Sequence, residues 1–421
     1  MLKLLLRACE NNDLSLLDKL ITSSNEDIIN QYDDRGLNPL FVACIKGNVI
    51  LTQTLIAKGA KVKALAGRNW TPLHEACRHQ HGEIVQILIA NSAEVNAEDI
   101  DGNTPLHAST ECWPGKYTII SNLIDAGANV NQQNKLGETP LFCATKGGTS
   151  SLAVIHALII QGADINKANK FGETPLHLIS KERDYPLLLE RLAILLAAGA
   201  QLNRAAFNGC TPIYEATEQL NFPVMNAYIE AGCDVNLSDT DDWTPLHIAV
   251  ELGNTTAIDM LIHAGSNVNL RTKPDAQTVL HIACETETSN DDIIKTLIKA
   301  GGNVYAKDRK GKTPLDTAKM IDMVDHRSGR RKCPKQRIPI DRSNVIDVLQ
   351  REMKWVFFRP LMLMRAHENQ HVIPLKPLGT LLLDRASKDG RHILRIIASY
   401  LSNDDPLISQ TQIQTQLLIQ Q

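Results

Sequence analysis

The sequence predicts an all-α repeat solenoid, a linear stack of short helix pairs joined by tight turns. Three observations lead there. A seven-residue motif recurs nine times at nearly constant spacing, aromatic residues make up only 4% of the 421 residues, and 43% of the chain is nevertheless hydrophobic. The apolar content is therefore mostly Ala, Leu, Ile and Val, which suits thin helical layers better than one thick core.

The motif opens as NPLFVAC at Asn38, TPLHEAC at Thr71, TPLHAST at Thr104 and TPLFCAT at Thr139. It continues as TPLHLIS at Thr174, TPIYEAT at Thr211, TPLHIAV at Thr244, TVLHIAC at Thr278 and TPLDTAK at Thr313, with successive offsets of 33, 33, 35, 35, 37, 33, 34 and 35 residues. Thr followed by Pro reads as an N-cap and first helical residue: the hydroxyl accepts from a free amide, and Pro lacks only a donor that would be orphaned there. A Gly two residues before the Thr, as at Gly102, Gly137, Gly172 and Gly311, permits a tight turn with positive φ. Leu and Ala then line one face of a short first helix.

A second apolar run follows, such as EIVQILI from Glu83 or TAIDMLI from Thr256, with the period of a helix packed on one side. It ends at Gly59, Gly127, Gly162, Gly199, Gly232, Gly265 and Gly301, placed as left-handed C-terminal caps, with Ser92 as the one replacement. Asn96, Asn131, Asn166, Asn203, Asn236 and Asn269 come next and suit a polar turn that ties one loop to its neighbour.

These units resemble the ankyrin repeat. The family pattern G-x-TPLH-x-A…L-x-x-G-A-x-V-N is matched with small departures over roughly residues 36–318. The resemblance implies stacked helix pairs with projecting β-turn or hairpin loops, curved so that a concave face binds protein. At least three such units must stack to bury their apolar faces. Five regions follow: an N-terminal capping helix pair (1–35), the ankyrin repeats (36–318), and a last repeat with a basic inserted loop and capping helix (319–352). Beyond them lie a helical C-terminal extension (353–408) and a disordered Gln-rich tail (409–421).

Residues with chemical potential have structural explanations. His74, His107, His177, His247 and His281 share one motif phase, which points to hydrogen bonds near the motif's own Thr rather than to catalysis. HEACRHQH from His74 puts Arg78 where a zinc-protease motif needs its second His, which leaves His79 and His81 as surface-facing residues. Cys9, Cys44, Cys77 and Cys284 read as small buried residues, and no CxxC pair exists. GKT at Gly311 lacks the P-loop's earlier glycine, and Asp241–Asp242 and Asp291–Asp292 read as solvated acids. No catalytic set, cofactor or metal site is expected.

The expected function is a non-enzymatic protein-binding scaffold or adaptor. In the family, partners touch the turn tips and the exposed end of the first helix. Carried onto this chain, the tip candidates are Arg35, Arg68, Trp70, Asp101, Asn103, Lys135, Leu136, Lys170, Phe171, Trp243 and Gln277. The helix candidates are Lys46, Arg78, His79, Glu111, Lys146, Lys181, Glu218 and Glu251. Trp70 and Trp243 read either as interface anchors or as covers for their own turns.

Net charge is −3, from 44 Lys plus Arg and 47 Asp plus Glu, which argues against nucleic acid bound by a whole basic face. The chain shows no membrane-length apolar run and no secretory start, so an intracellular, cytoplasmic protein is expected, with residues 327–337 reading as a nuclear import signal or a solvated loop. The extension has two readings. It is a cap on the solenoid, or residues 355–402 are a box that recruits ubiquitin-ligase components. ILRIIASYL resembles the end of an F-box-like helix and PLGTLLLDRA the start of a suppressor-of-cytokine-signalling box, although the F-box Leu-Pro opening is missing and Leu382 stands where the second box has Cys.

Overall fold

A computed structural model describes residues 1–21, 26–110, 117–146, 152–182, 187–286, 291–327 and 344–353. Residues 328–343 and everything after Met353, and with them most of the basic insert and nearly all of the C-terminal extension and tail, lie outside the described residues, as does Glu111.

The chain opens with helices α1 (Leu2–Glu10) and α2 (Leu14–Leu20). The pairs that follow are α3 (Pro39–Lys46) and α4 (Val49–Ala57), α5 (Pro72–Arg78) and α6 (Gly82–Ala90), and α7 (Pro105–Thr110) and α8 (Tyr117–Asp125). Next come α9 (Pro140–Thr145) and α10 (Leu152–Ile160), α11 (Pro175–Lys181) and α12 (Leu188–Ala197), and α13 (Pro212–Glu218) and α14 (Phe222–Glu230). The series closes with α15 (Pro245–Glu251) and α16 (Thr255–His263), α17 (Val279–Glu285) and α18 (Asp291–Lys299), and α19 (Pro314–Arg327). Residues 344–353 form a further helix in which Val345 and Leu349 are buried.

First helices begin as the motif dictates. The N-cap Thr or Asn is extended, Pro takes the first helical position except at Val279, and Asn38 accepts from the Phe41 amide at 3.1 Å. Second helices end in paired capping bonds: Gly59 N–H donates to Ile56 O and Ala60 N–H to Leu55 O, with Gly59 at φ 90°. Ser92 takes the same left-handed conformation at φ 63°, where a Cβ is costly.

Each first helix packs on the first helix of the next repeat, from α1 on α3 through to α17 on α19. Leu40, Leu73, Leu106, Leu141, Leu176, Leu246 and Leu280 are fully buried between them. Burial of each such Leu contributes about 1.5–3 kcal/mol, and an isolated repeat, without the neighbouring first helices, cannot complete it. Second helices form a parallel row, as in α4 on α6 and α10 on α12.

Polar bonds lock the register. Asn131 Nδ2 donates to Gly162 O at 3.2 Å while its Oδ1 accepts from Asp164 N at 2.7 Å. The same double bond recurs at Asn96, Asn166, Asn236 and Asn269, and at Asn30 ahead of the first motif. Lys63 stands where the series would have another Asn, in front of the repeat whose cap is Ser92. Cap and amide thus depart from the pattern together.

One buried ion pair joins three repeats. Arg191 of α12 donates from Nη1 to Thr145 O at 2.7 Å and faces Glu182 Oε2 from Nη2 at 2.9 Å. The Glu182 carbonyl in turn accepts from Asn221 Nδ2 at 2.6 Å.

Two substitutions test this account. Arg191→Ala leaves Glu182 buried without its cation and should cost about 3–5 kcal/mol, seen as a lower urea midpoint. Asn131→Ala removes two exposed bonds and should cost about 1–3 kcal/mol by the same measurement. A smaller loss for Arg191→Ala than for Asn131→Ala would reverse the ranking given to burial.

Candidate protein-binding surface

Six of the nine turns ahead of a motif helix are built by a residue five positions before the motif's Thr or Asn; Ala66, Ala206 and Lys273 stand there in the other three. Asp99 Oδ1 accepts from the amides of Asp101 and Asn103 at 2.8 and 2.7 Å. Asp33, Asn134, Asn169, Asp239 and Asp308 repeat this pair of bonds. Each side chain closes a turn that would otherwise leave two amides to water.

Adjacent turns are then tied tip to tip by backbone. Ile100 N–H donates to Arg68 O at 3.0 Å, Lys135 to Asp101 at 2.8 Å, Lys170 to Leu136 at 2.9 Å and Phe207 to Phe171 at 3.0 Å. The series continues from Thr240 to Asn208 at 3.1 Å, Lys273 to Asp241 at 2.7 Å and Arg309 to Asp275 at 2.8 Å. Such close approach explains Gly172: its φ is +80°, and a Cβ there would lie 2.6 Å from Phe207 N. Apart from one isolated bridge between Ala66 and Trp70, the described turns form no strand pairing.

The sequence candidates fall into three groups. Lys135, Leu136, Lys170 and Phe171 stand exposed on consecutive, directly bonded tips. Others are already engaged. Arg35 bonds Asp33 at 2.8 Å, Arg68 pairs with Asp101, and Gln277 Nε2 donates to Glu285 at 2.6 Å. Asn103 accepts from Asn134 Nδ2 at 2.9 Å and so bridges two turns. At the helix ends, Lys146 binds Glu138 at 2.8 Å, and Lys181 binds Glu173 at 2.5 Å and Glu215 at 3.4 Å. His79 faces Glu75 at 3.5 Å. Lys46, Glu218 and Glu251 are exposed, at first-helix ends separated along the stack.

Both tryptophans are engaged with a neighbouring repeat. Trp70 Nε1 donates to Asp99 at 3.1 Å, its ring lies 5.5 Å from that of His74, and Arg78 caps it at 5.3 Å. Trp243 packs on Cys210, Tyr214 and Ile248. Each is half-buried, so only the remainder of its ring is open to a partner. His81, read as surface-facing, instead lies partly buried with Nε2 3.2 Å from Ile45 O.

The motif histidines are locked. His107 Nδ1 accepts from Thr104 N at 3.1 Å, so Nε2 carries the proton and donates to Glu138 O of the next repeat at 3.1 Å. His74, His177 and His281 reach Asn103 O, Cys210 O and Lys312 O in the same way, while His247 lacks this bond. Burial pushes His107, His177 and His247 down to about 4 and lowers His74 and His281 as well. Burial also acts on Glu173, but bonds from Lys181 and Asn169 outweigh it and leave that carboxyl below its usual range. Among the described residues no three His, Cys, Asp or Glu side chains converge as metal ligands would, and no helix is long and apolar enough to cross a membrane.

Sequence reasoning missed Phe207 and Arg204. Phe207 is the most exposed aromatic of the tips at 77%, beside Phe171 at 60% and Leu136 at 51%. The sixth unit reads Ala206-Phe207-Asn208-Gly209 where the two units before it have Asn-Lys-x-Gly, which hides the correspondence. Aligning on Gly209 rather than on the polar residue would have found it.

The family model described as ankyrin repeats (three copies) matches at residues 5–99, 55–134, 106–203, 142–239, 188–272 and 246–325. Among solved structures, one similar chain is the ankyrin repeat domain of Bcl-3, described as a unique member of the IkappaB protein family. It is 25% identical, covers 54% of this chain and 99% of its own, and superposes with a TM-score of 0.47. No curated protein matches the chain.

The histidines set a pH dependence. Folded rings stay neutral while unfolded ones bind protons below their ordinary 6.5, so the stability they contribute is complete above pH 6.5 and is lost as pH falls toward about 4. Each such ring is worth on the order of 3 kcal/mol over that span. The thermal midpoint should therefore drop between pH 6.5 and about 5, above the ordinary carboxylate range, with the carboxyls of Glu75, Glu215 and Glu285, raised by desolvation, working against the five rings. A flat midpoint across that window would mean the buried rings are not held neutral.

Proposed function

The chain belongs to the ankyrin-repeat family, and from that premise we propose that it is a non-enzymatic scaffold that binds one or more proteins through its turn tips and first-helix ends. The observation that carries this reading is the continuity of the tip row. Backbone bonds between neighbouring turns hold the exposed side chains in fixed register before any partner arrives. Little chain ordering then opposes association. A standard interface needs roughly 20–30 residues a side, which five or six adjacent repeats can supply. Ankyrin repeats in general mediate contacts between proteins, and this surface has the build for it.

The test is affinity capture from cells by the full chain against a variant with Arg35, Lys46, Lys135, Lys170, Glu218 and Glu251 all changed to Ala. Partners recovered at least about tenfold less with the variant, at unchanged thermal midpoint, support the reading. Equal recovery from both would sink it.

A finer reading makes the protein a substrate-recognition subunit of a ubiquitin ligase, with the repeats holding the substrate and residues 355–402 recruiting the ligase. Its support is the sequence of the segment, PLGTLLLDRA followed by ILRIIASYL. Cullin or ligase-adaptor proteins recovered with the full chain but not with a chain ending at Glu352 would support it. The same proteins recovered from both, or from neither, would leave the segment without that role.

A further inference from the structure

We infer that the tips leading into α9, α11 and α13 form one docking site for an extended acidic protein segment with apolar side chains at every third residue. This deepens the scaffold reading and rests on it.

The apolar part is continuous. Leu136 O accepts from Lys170 N, Phe171 O accepts from Phe207 N, and the Phe207 ring lies against the Gly172 backbone, where an added Cβ would meet Cδ1 at 2.8 Å. Three large apolar side chains on consecutive turns therefore stand in one row, each more than half exposed. Scattered exposed apolar residues need no explanation; a bonded row of three does.

Charge selects the occupant. Lys135, Lys170 and Arg204 are exposed around this row, and none has an ion-pair partner among the described residues. The carboxylates of the same turns, Glu138 and Glu173, are taken by Lys146 and Lys181. The flanking tips differ: Asp101 is neutralised by Arg68 on one side, and Asp239, Asp241 and Asp242 make the other side acidic, with Lys273 held by Asp242. These three turns thus leave positive charge beside the apolar row; the tip at Lys307, Arg309 and Lys310 is also positive but lacks Leu136, Phe171 and Phe207 or their like, which is why the row and the charge together mark this site.

Spacing selects the shape. Packed helices sit about 8–10 Å apart, so successive tips advance by that distance. An extended chain in the polyproline-II conformation rises about 3.1 Å per residue with three residues per turn, so every third side chain faces the same way and meets the next tip. A helical partner, with its 1.5 Å rise, would bring its anchors back only every seven residues or so.

The probe is a fluorescein-labelled (Asp-Leu-Glu)4 peptide, titrated with the full chain by fluorescence anisotropy. Controls are (Lys-Leu-Arg)4, (Asp-Ser-Glu)4 and a twelve-residue oligouridylate. The expected result is saturable binding of (Asp-Leu-Glu)4, at least about tenfold tighter than any control. Phe171→Ser with Phe207→Ser should weaken it about tenfold, and so should Lys135→Glu with Lys170→Glu, while Arg309→Glu at a distant tip should leave it unchanged. All these positions are exposed, and an unchanged thermal midpoint separates lost binding from lost fold.

Binding that ignores both pairs, tighter binding of the basic peptide or of the oligouridylate, or no binding at all would overturn the inference. So would self-association in sedimentation that disappears with Phe171→Ser and Phe207→Ser, because the row would then be covered by a second copy. Any of these could occur while cellular capture still depends on the wider tip and helix-end row, so failure here is distinct from failure of the scaffold reading.

Discussion

A repeat of this length cannot satisfy itself. Its first helix is about two turns long, too short to persist alone in water, and packs on the first helices of both neighbouring repeats as well as on its own second helix. The dependence is polar as well as apolar. The motif histidine spends Nδ1 inside its own repeat and Nε2 on a carbonyl of the next, so one neutral ring closes a turn and fixes the distance to its neighbour. The Asn ladder does the same work just after the second helix, and the tip-to-tip backbone bonds do it between the turns.

That constraint explains why the surface can vary while the stack does not. Every position that sets register is either buried or has its hydrogen-bonding capacity spent between neighbours. The residues left over, at the tips and first-helix ends, carry no structural duty in common. Some have been drawn into local pairs, as Lys146 and Lys181 were by Glu138 and Glu173, and others such as Lys135 and Lys170 have not. The function of the array resides in that difference.

Much of the fold was legible because helix starts, caps and turns are local events. Thr-Pro at the N-cap, Gly at the left-handed cap and Asn after it each depend on a few neighbouring atoms, so their spacing reports the element order directly. The site was legible only in part. Trp70 read either as an anchor or as a cover, and the spacing alone could not show that its indole bonds Asp99 and faces Arg78; His81 looked exposed, yet its ring reaches back to the preceding repeat. Phe207 went unnoticed because its turn has Ala206 in place of the usual Asn. Arg191 gave no sign at all, since the three helix ends it joins come from different repeats.

The amino-acid sequence by itself determined the architecture: nine motifs, their helix pairs, and the tautomer-ready histidines that bind each repeat to its own turn. Only the tertiary structure decided which of the exposed side chains remain free. Pairing across turns is a matter of angstroms between residues about 33 apart in the chain, as Arg68 and Asp101 are. A repeating pattern places both residues at the same phase of their units, but it carries no information on whether a long side chain spans the gap to its neighbour or stays in solvent.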